Sequence, residues 1–171
     1  MMAAPKRLTL VMPSAVTELP LRERIRLGDL LTLLIARAGN ERIAFPLASV
    51  QEAVDAGELQ AVPQMPDGVL GVIRWRGGAH PVWSPAHALR AGLDHADTAL
   101  FIRGAGGMVA LAVDDVEDLV TVAGTAVRAA QGVANADGLV VGVVHVDTGI
   151  ATLIDPDILA DAFGGRAGAE P

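Results

Sequence analysis

Four short hairpins, arranged as two copies of two, constrain this chain more than any other feature of its sequence. From residue 28 onward, apolar runs are divided by Gly, Pro, Asn and Asp. Leu30–Ala36 and Arg42–Phe45 flank Ala38-Gly39-Asn40, and Val69–Trp75 and His80–Trp83 flank Gly77-Gly78. Ala99–Arg103 and Met108–Val113 flank Gly104-Ala105-Gly106-Gly107, and Leu139–Val146 and Ile150–Ile154 flank Asp147-Thr148-Gly149. β-type runs joined by such turn residues predict antiparallel hairpins. Pro85–Ala91 and Pro156–Phe163 read as short helices, each opened by a proline suited to the first turn.

The hairpins repeat. Shifted by 66 residues, Ile43–Val54 meets Val109–Val120 with its apolar positions in step, and Glu52 falls on Asp118. Shifted by 71, Leu70–Ala88 meets Val141–Leu159: Gly71 falls on Gly142, Gly78 on Gly149 and Pro85 on Pro156. Coincident glycines and prolines at loop positions favour duplication over chance alignment of valine-rich strands. Each copy runs hairpin, extra strand, loop, hairpin, short helix. Five strands of this length curl into a small barrel, because closure removes exposed edges. Two such barrels in one chain of 171 residues are expected to share a core, with a groove between them as the concave surface. The fold class is therefore all-β with short helices.

Composition narrows the chemistry. Hydrophobic residues make up 51% of the chain and aromatics 3%, so Val, Leu, Ile and Ala must fill the core. The absence of cysteine excludes disulfides, a thiolate nucleophile and Cys-ligated metals. The four histidines show no metal-ligand spacing, and there is no nucleophile elbow or phosphate loop. An enzyme built on His145 and Asp155 has only their presence in its favour. No catalytic residue, cofactor or metal is therefore assigned. A net charge of -7 with no Tyr argues against nucleic acid as a partner. The charge is uneven: residues 1–90 hold ten Lys/Arg and eight Asp/Glu (net +2), residues 91–171 three and twelve (net -9). No apolar run approaches the ~20 residues that span a bilayer, so neither membrane insertion nor a signal peptide is expected, although Lys6 and Arg7 precede Leu8–Met12. Residues 1–27, with the Arg22–Arg26 cluster, read as an N-terminal extension, and residues 164–171 as a C-terminal tail. The acidic run Asp114–Asp118 reads as a solvated or partner-facing edge rather than a cation site, because neighbouring strand residues point to opposite faces.

An ordered set of short motifs resembles the CheW-like chemotaxis coupling protein family. It comprises Ile43-Ala44-Phe45-Pro46-Leu47 with Val50 and Glu52, then Val62-Pro63 with Pro66, then Gly71-Val72-Ile73 with Arg76-Gly77 and Pro81-Val82. Val109–Val113 with Asp114-Asp115-Val116, Gly142-Val143 and Leu153-Ile154-Asp155 continue it in the second copy. The resemblance spans residues 28–163, with halves repeating at about 43–88 and 109–159. It implies two intertwined SH3-like barrel subdomains around a shared hydrophobic core. It also implies a non-enzymatic, cytoplasmic adaptor between the cytoplasmic tip of a methyl-accepting chemoreceptor and the regulatory domain of a CheA-type histidine kinase. A diverged adaptor that binds one partner in a non-motility circuit is the alternative.

The resemblance further places Glu52 and Arg76 near each other on the receptor-facing groove as a salt bridge. Gly77 follows as the turn glycine that sets where Arg76 points, and Val50 and Ile73 line either groove or core. Where the family shows Asn-Leu-Arg-Gly, this chain has Arg74-Trp75-Arg76-Gly77. Arg74 and Trp75 are residue types enriched in binding hot spots, although Trp75 can equally serve as a core residue in place of Leu. Ser84 stands where the family has Asp, and it retains the capacity to cap a helix.

Overall fold

The computed structural model describes residues 8–9, 19–85, 96–130 and 138–164. All four hairpins are present and antiparallel: β2 (Leu30–Ala38) with β3 (Glu41–Pro46), β5 (Val69–Trp75) with β6 (Gly78–Trp83), β7 (Thr98–Gly104) with β8 (Gly107–Val113), and β10 (Val140–Val146) with β11 (Gly149–Ile154). The extra strands are β4 (Val50–Asp55) and β9 (Asp115–Ala123), and a two-residue β1 (Leu8–Thr9) pairs with β4. Helix α1 is Leu21–Arg26 and α2 is Pro156–Leu159, which continues as a π turn over Ala160–Gly164. Most of the segment read as a helix at Pro85–Ala91 lies outside the described residues.

The two copies exchange their first hairpins. One sheet runs β1-β4-β7-β8-β6-β5, so hairpin β7–β8 of the second copy sits among strands of the first. The other runs β10-β11-β3-β2-β9, with hairpin β2–β3 of the first copy among strands of the second. Short connectors carry the chain between sheets: a 3-10 turn over Leu47–Ser49 leads from β3 to β4, and Asp114 alone separates β8 from β9. Each sheet curls back on itself. An isolated bridge joins Gln60, beyond β4, to Val72 on β5, and an equivalent one joins Arg128, beyond β9, to Val143 on β10.

Exchange explains why the strands read as continuous apolar runs instead of alternating. Leu31, Leu33 and Ile35 of β2 face a core inside their own sheet, whereas Leu34, Ala36 and Ala38 face a core shared by both sheets. On β7, Phe101 and Ala99 point inward and Leu100 and Ile102 join the shared core. Burial on both faces selects apolar residues at consecutive positions. The shared core is closed by Phe163, whose ring stacks on Trp83 at 4.9 Å and 10°. Asp155 caps α2 by accepting from the Asp157 amide at 3.0 Å, which positions that turn.

The N-terminal extension is not wholly outside this structure. Leu21 is buried with the second sheet's core and Ile25 packs beside it. Gly124 accommodates the helix: a Cβ there would lie 2.7 Å from the Ile25 carbonyl oxygen. The arginine cluster is used internally, as Arg22 donates to the Gly138 carbonyl at 2.5 Å, Arg24 to the Leu30 carbonyl at 3.1 Å, and Arg26 pairs with Glu23. Because Leu21 lies at the margin of a core, Leu21→Ala is expected to cost about 1–2 kcal/mol, measured by urea unfolding. A cost near zero would mean that α1 is not docked.

Half of the acidic run is likewise internal. Asp114 accepts from the Gly39 amide at 2.7 Å and from Arg37 at 3.2 Å, while Glu117 accepts from Arg42 at 2.8 Å. Only Asp115 and Asp118 of the four acids are exposed, on edge strand β9.

Candidate docking site

Glu52 lies on β4 opposite Phe101 of β7. Trp75, the last residue of β5, reaches across from the far edge of the same sheet and stacks on Phe101, with centroids 4.1 Å apart and planes within 16°. Its Nε1 donates to Glu52 Oε1 at 2.9 Å. Arg76 Nη2 donates to the same oxygen at 3.3 Å. The guanidinium carbon lies 4.5 Å from the centre of the indole ring, a cation–π contact. His80 meets both rings edge-on, at 5.5 Å from Trp75 and 5.6 Å from Phe101. Phe101, Trp75 and Arg76 thus form a continuous stack, with the Glu52 carboxylate beside it. These contacts also tie β4, which lies next to the short edge strand β1, to β5 at the far edge of the sheet.

The turn that delivers Arg76 lies one residue earlier than the sequence predicts. Trp75 pairs with Gly78, so Arg76-Gly77 is the two-residue loop, with φ of 49° and 80°. Positive φ at both central positions is the type I′ turn, whose twist matches that of the flanking strands. Arginine pays a local cost to adopt this conformation, which glycine does not. The outcome is a guanidinium folded back over Trp75.

Of the other predicted contact residues, Arg74 is exposed and Ile73 is half-buried. Both line an open groove with Glu52, Val54, Asp55, Trp75 and Arg76. Val50 requires a correction: it is fully buried in the shared core and presents no surface. A bulge between Val50 and Glu52 breaks the two-residue alternation that would have placed them on one face. Trp75 is half-buried, one face on Phe101 and the other under Arg76, so it serves both packing and surface. The sequence did not single out Phe101 or His80. Phe101 is one of three phenylalanines, and that scarcity was the signal available. A second cleft runs between the sheets, with Ala53 and Thr98 on one side and Val116 and Leu119 on the other. β1 occupies the outer edge of β4 nearby, in register Leu8 with Ala53 and Thr9 with Glu52.

Among the described residues no group of three or more His, Asp or Glu side chains is placed to hold a metal ion, and no helix is long and apolar enough to cross a membrane. What the groove presents is an exposed guanidinium on a shelf of stacked rings. The chain belongs to the CheW-like domain family, whose sequence pattern matches residues 32–163, and members of that family are non-enzymatic scaffolds of chemotaxis signalling. Among solved structures, the scaffolding protein TtCheW from Thermoanaerobacter tengcongensis superposes with a TM-score of 0.65 at 19% sequence identity, over 75% of this chain and 86% of that one. No curated protein matches the sequence.

Proposed function

We propose that this chain couples chemoreceptors to a CheA-type histidine kinase in the cytoplasm, with residues 28–163 as the coupling domain and helix α1 packed on it. The receptor's cytoplasmic tip docks on the Glu52–Arg76 face, and the kinase's regulatory domain docks elsewhere on the subdomains. Family membership supports the pathway. The observation that carries the choice of face is the ion pair at 3.3 Å, with its arginine 59% exposed and its glutamate 5% exposed. With the carboxylate held inside and the guanidinium turned to solvent, the pair presents a fixed cation on a built shelf, an arrangement suited to recognition. Coupling needs no chemistry from the adaptor. A difference of about 1–3 kcal/mol in its contacts with two receptor states is enough to shift the kinase between conformations.

The test is reconstitution. Size-exclusion chromatography of this chain with the regulatory domain of a CheA-type kinase from the same organism, and with a soluble receptor-tip fragment, is expected to give both binary complexes and the ternary one. Kinase autophosphorylation should then depend on all three components. Absence of a complex with either partner would sink the proposal, and binding to the kinase alone would leave the single-partner adaptor in its place.

A further inference from the structure

We propose that Trp75 is a positioning residue that fixes Glu52 and Arg76 as a single outward cationic contact, fitted to a carboxylate on the partner's docking face. The partner's chemistry rests on the function proposed above, whereas the positioning role is a property of the free chain.

The two charges are not equivalent. The Glu52 side chain is 5% exposed and that of Arg76 59%, so the carboxylate faces the protein and the guanidinium faces water. A carboxylate taken out of water needs donors. Trp75 supplies one at 2.9 Å, closer than the arginine at 3.3 Å. The indole N–H is a donor and nothing else, and the 4.1 Å stack on Phe101 fixes the direction in which it points. The opposite face of the same ring carries the guanidinium at 4.5 Å. One side chain therefore holds the acid by its edge and the base by its face. The leucine of the family pattern has neither an N–H nor a π face and does neither.

The consequence is a change in what the surface offers. Glu52 is engaged from within the hairpin and turns no free charge outward. Arg76 keeps donors in solvent, and exposed Arg74 adds a second positive charge two residues earlier. Asp55, the exposed acid on the same groove, accepts from the Gly57 amide at 3.0 Å, so in a chain of net charge -7 two outward arginines against one exposed acid make a local positive excess, complementary to carboxylates.

The experiment uses 15N-labelled full-length chain, whose two tryptophans give two indole N–H resonances, Trp75 being assigned by its loss in Trp75→Phe. Glu52→Ala is expected to move the Trp75 resonance upfield and speed its exchange with water while leaving Trp83 unchanged. Trp75→Phe keeps a ring on Phe101 and removes the donor. It should weaken binding of the receptor-tip fragment about tenfold, leave kinase-domain binding within about twofold, and reduce the cost of Arg76→Gln relative to the wild-type background. An unmoved Trp75 resonance in Glu52→Ala overturns the positioning role. Equal losses for both partners in Trp75→Phe also overturn it, because they indicate general structural damage. If the wild-type chain binds no receptor tip, the carboxylate assignment falls with the function, and the resonance still decides the positioning.

Discussion

Gly142→Val is expected to destabilise the chain by about 3 kcal/mol and to lower its melting temperature by about 10 °C. The reason is space, not backbone conformation. A Cβ at Gly142 would lie 2.5 Å from the Arg128 carbonyl oxygen and 2.8 Å from Val127 Cγ1. Arg128 forms the bridge that joins the ends of the second sheet, with hydrogen bonds to Val143 of 2.9 and 2.8 Å in the two directions. A valine must push that segment away, which loses both hydrogen bonds and opens the seam. Gly71 stands at the equivalent place in the first sheet. There a Cβ would meet Leu59 Cβ at 2.6 Å, beside the Gln60–Val72 bridge with hydrogen bonds of 3.0 and 2.9 Å. Gly71→Val should cost a similar amount and also disturb Trp75 on the same strand, whereas Gly142→Val should leave the Trp75 indole resonance in place. Gly77→Ala is the contrast: a Cβ there meets nothing within 4 Å, and only the φ of 80° opposes it, at about 1 kcal/mol. Calorimetry of the three variants tests the ranking. A Gly142→Val melting point within a degree or two of wild type would show that the bridge does not close the second sheet.

The coincidence of Gly71 with Gly142 is visible in the sequence, but its cause is not, because the cause is the close approach of a segment from elsewhere in the chain rather than a turn.

 In each copy the contact is with the loop that follows the third strand: Gly71 meets Leu59 and Gly142 meets Arg128. Repeat, hairpins and turn residues are local, and they are legible because each turn is specified by the few residues inside it. Pairing between hairpins is not local. With two similar copies, β2 and β7 offer equivalent edges to β4 and to β9, and a one-dimensional pattern does not distinguish pairing within a copy from pairing across copies. The 3-10 turn at Leu47–Ser49 and the single residue Asp114 send each third strand into the other sheet, and neither carries a strong signal.

The docking site shows the same division. The proximity of Glu52 and Arg76 follows from the family resemblance and is found at 3.3 Å. Trp75 as the residue between them does not follow from it, because its stacking partner Phe101 reaches the site through the hairpin exchange. For Val50 the resemblance leaves groove and core open, and the structure puts it in the core, behind a bulge that separates it from Glu52. Residues 1–27 read as an extension, whereas Leu21 and Ile25 of helix α1 reach the core of the second sheet.

Arg76→Glu is expected to weaken binding of the receptor-tip fragment about 100-fold or more, while binding of the kinase regulatory domain stays within about twofold. Three losses act together. The substitution removes the exposed positive charge, removes the cation–π contact with Trp75, and sets a second carboxylate beside Glu52. Because Glu52 is 5% exposed, it cannot turn into solvent to escape the new charge, and repulsion drives the substituted side chain off the indole face. The asymmetry of the pair makes a second outcome testable. In a symmetrical surface pair, exchanging the charges restores the bond, but here the position at 52 is closed and the position at 76 is open. Glu52→Arg combined with Arg76→Glu should therefore fail to recover receptor binding, since the cation would be enclosed and the anion exposed. Arg76→Lys should recover part of it, because the charge remains while the planar stack on Trp75 is lost. Salt provides the independent check: wild-type affinity should fall as ionic strength rises, and that of Arg76→Glu should not. Retention of receptor affinity by Arg76→Glu would move the receptor to another face, with the inter-sheet cleft of Ala53, Thr98, Val116 and Leu119 as the next surface to probe.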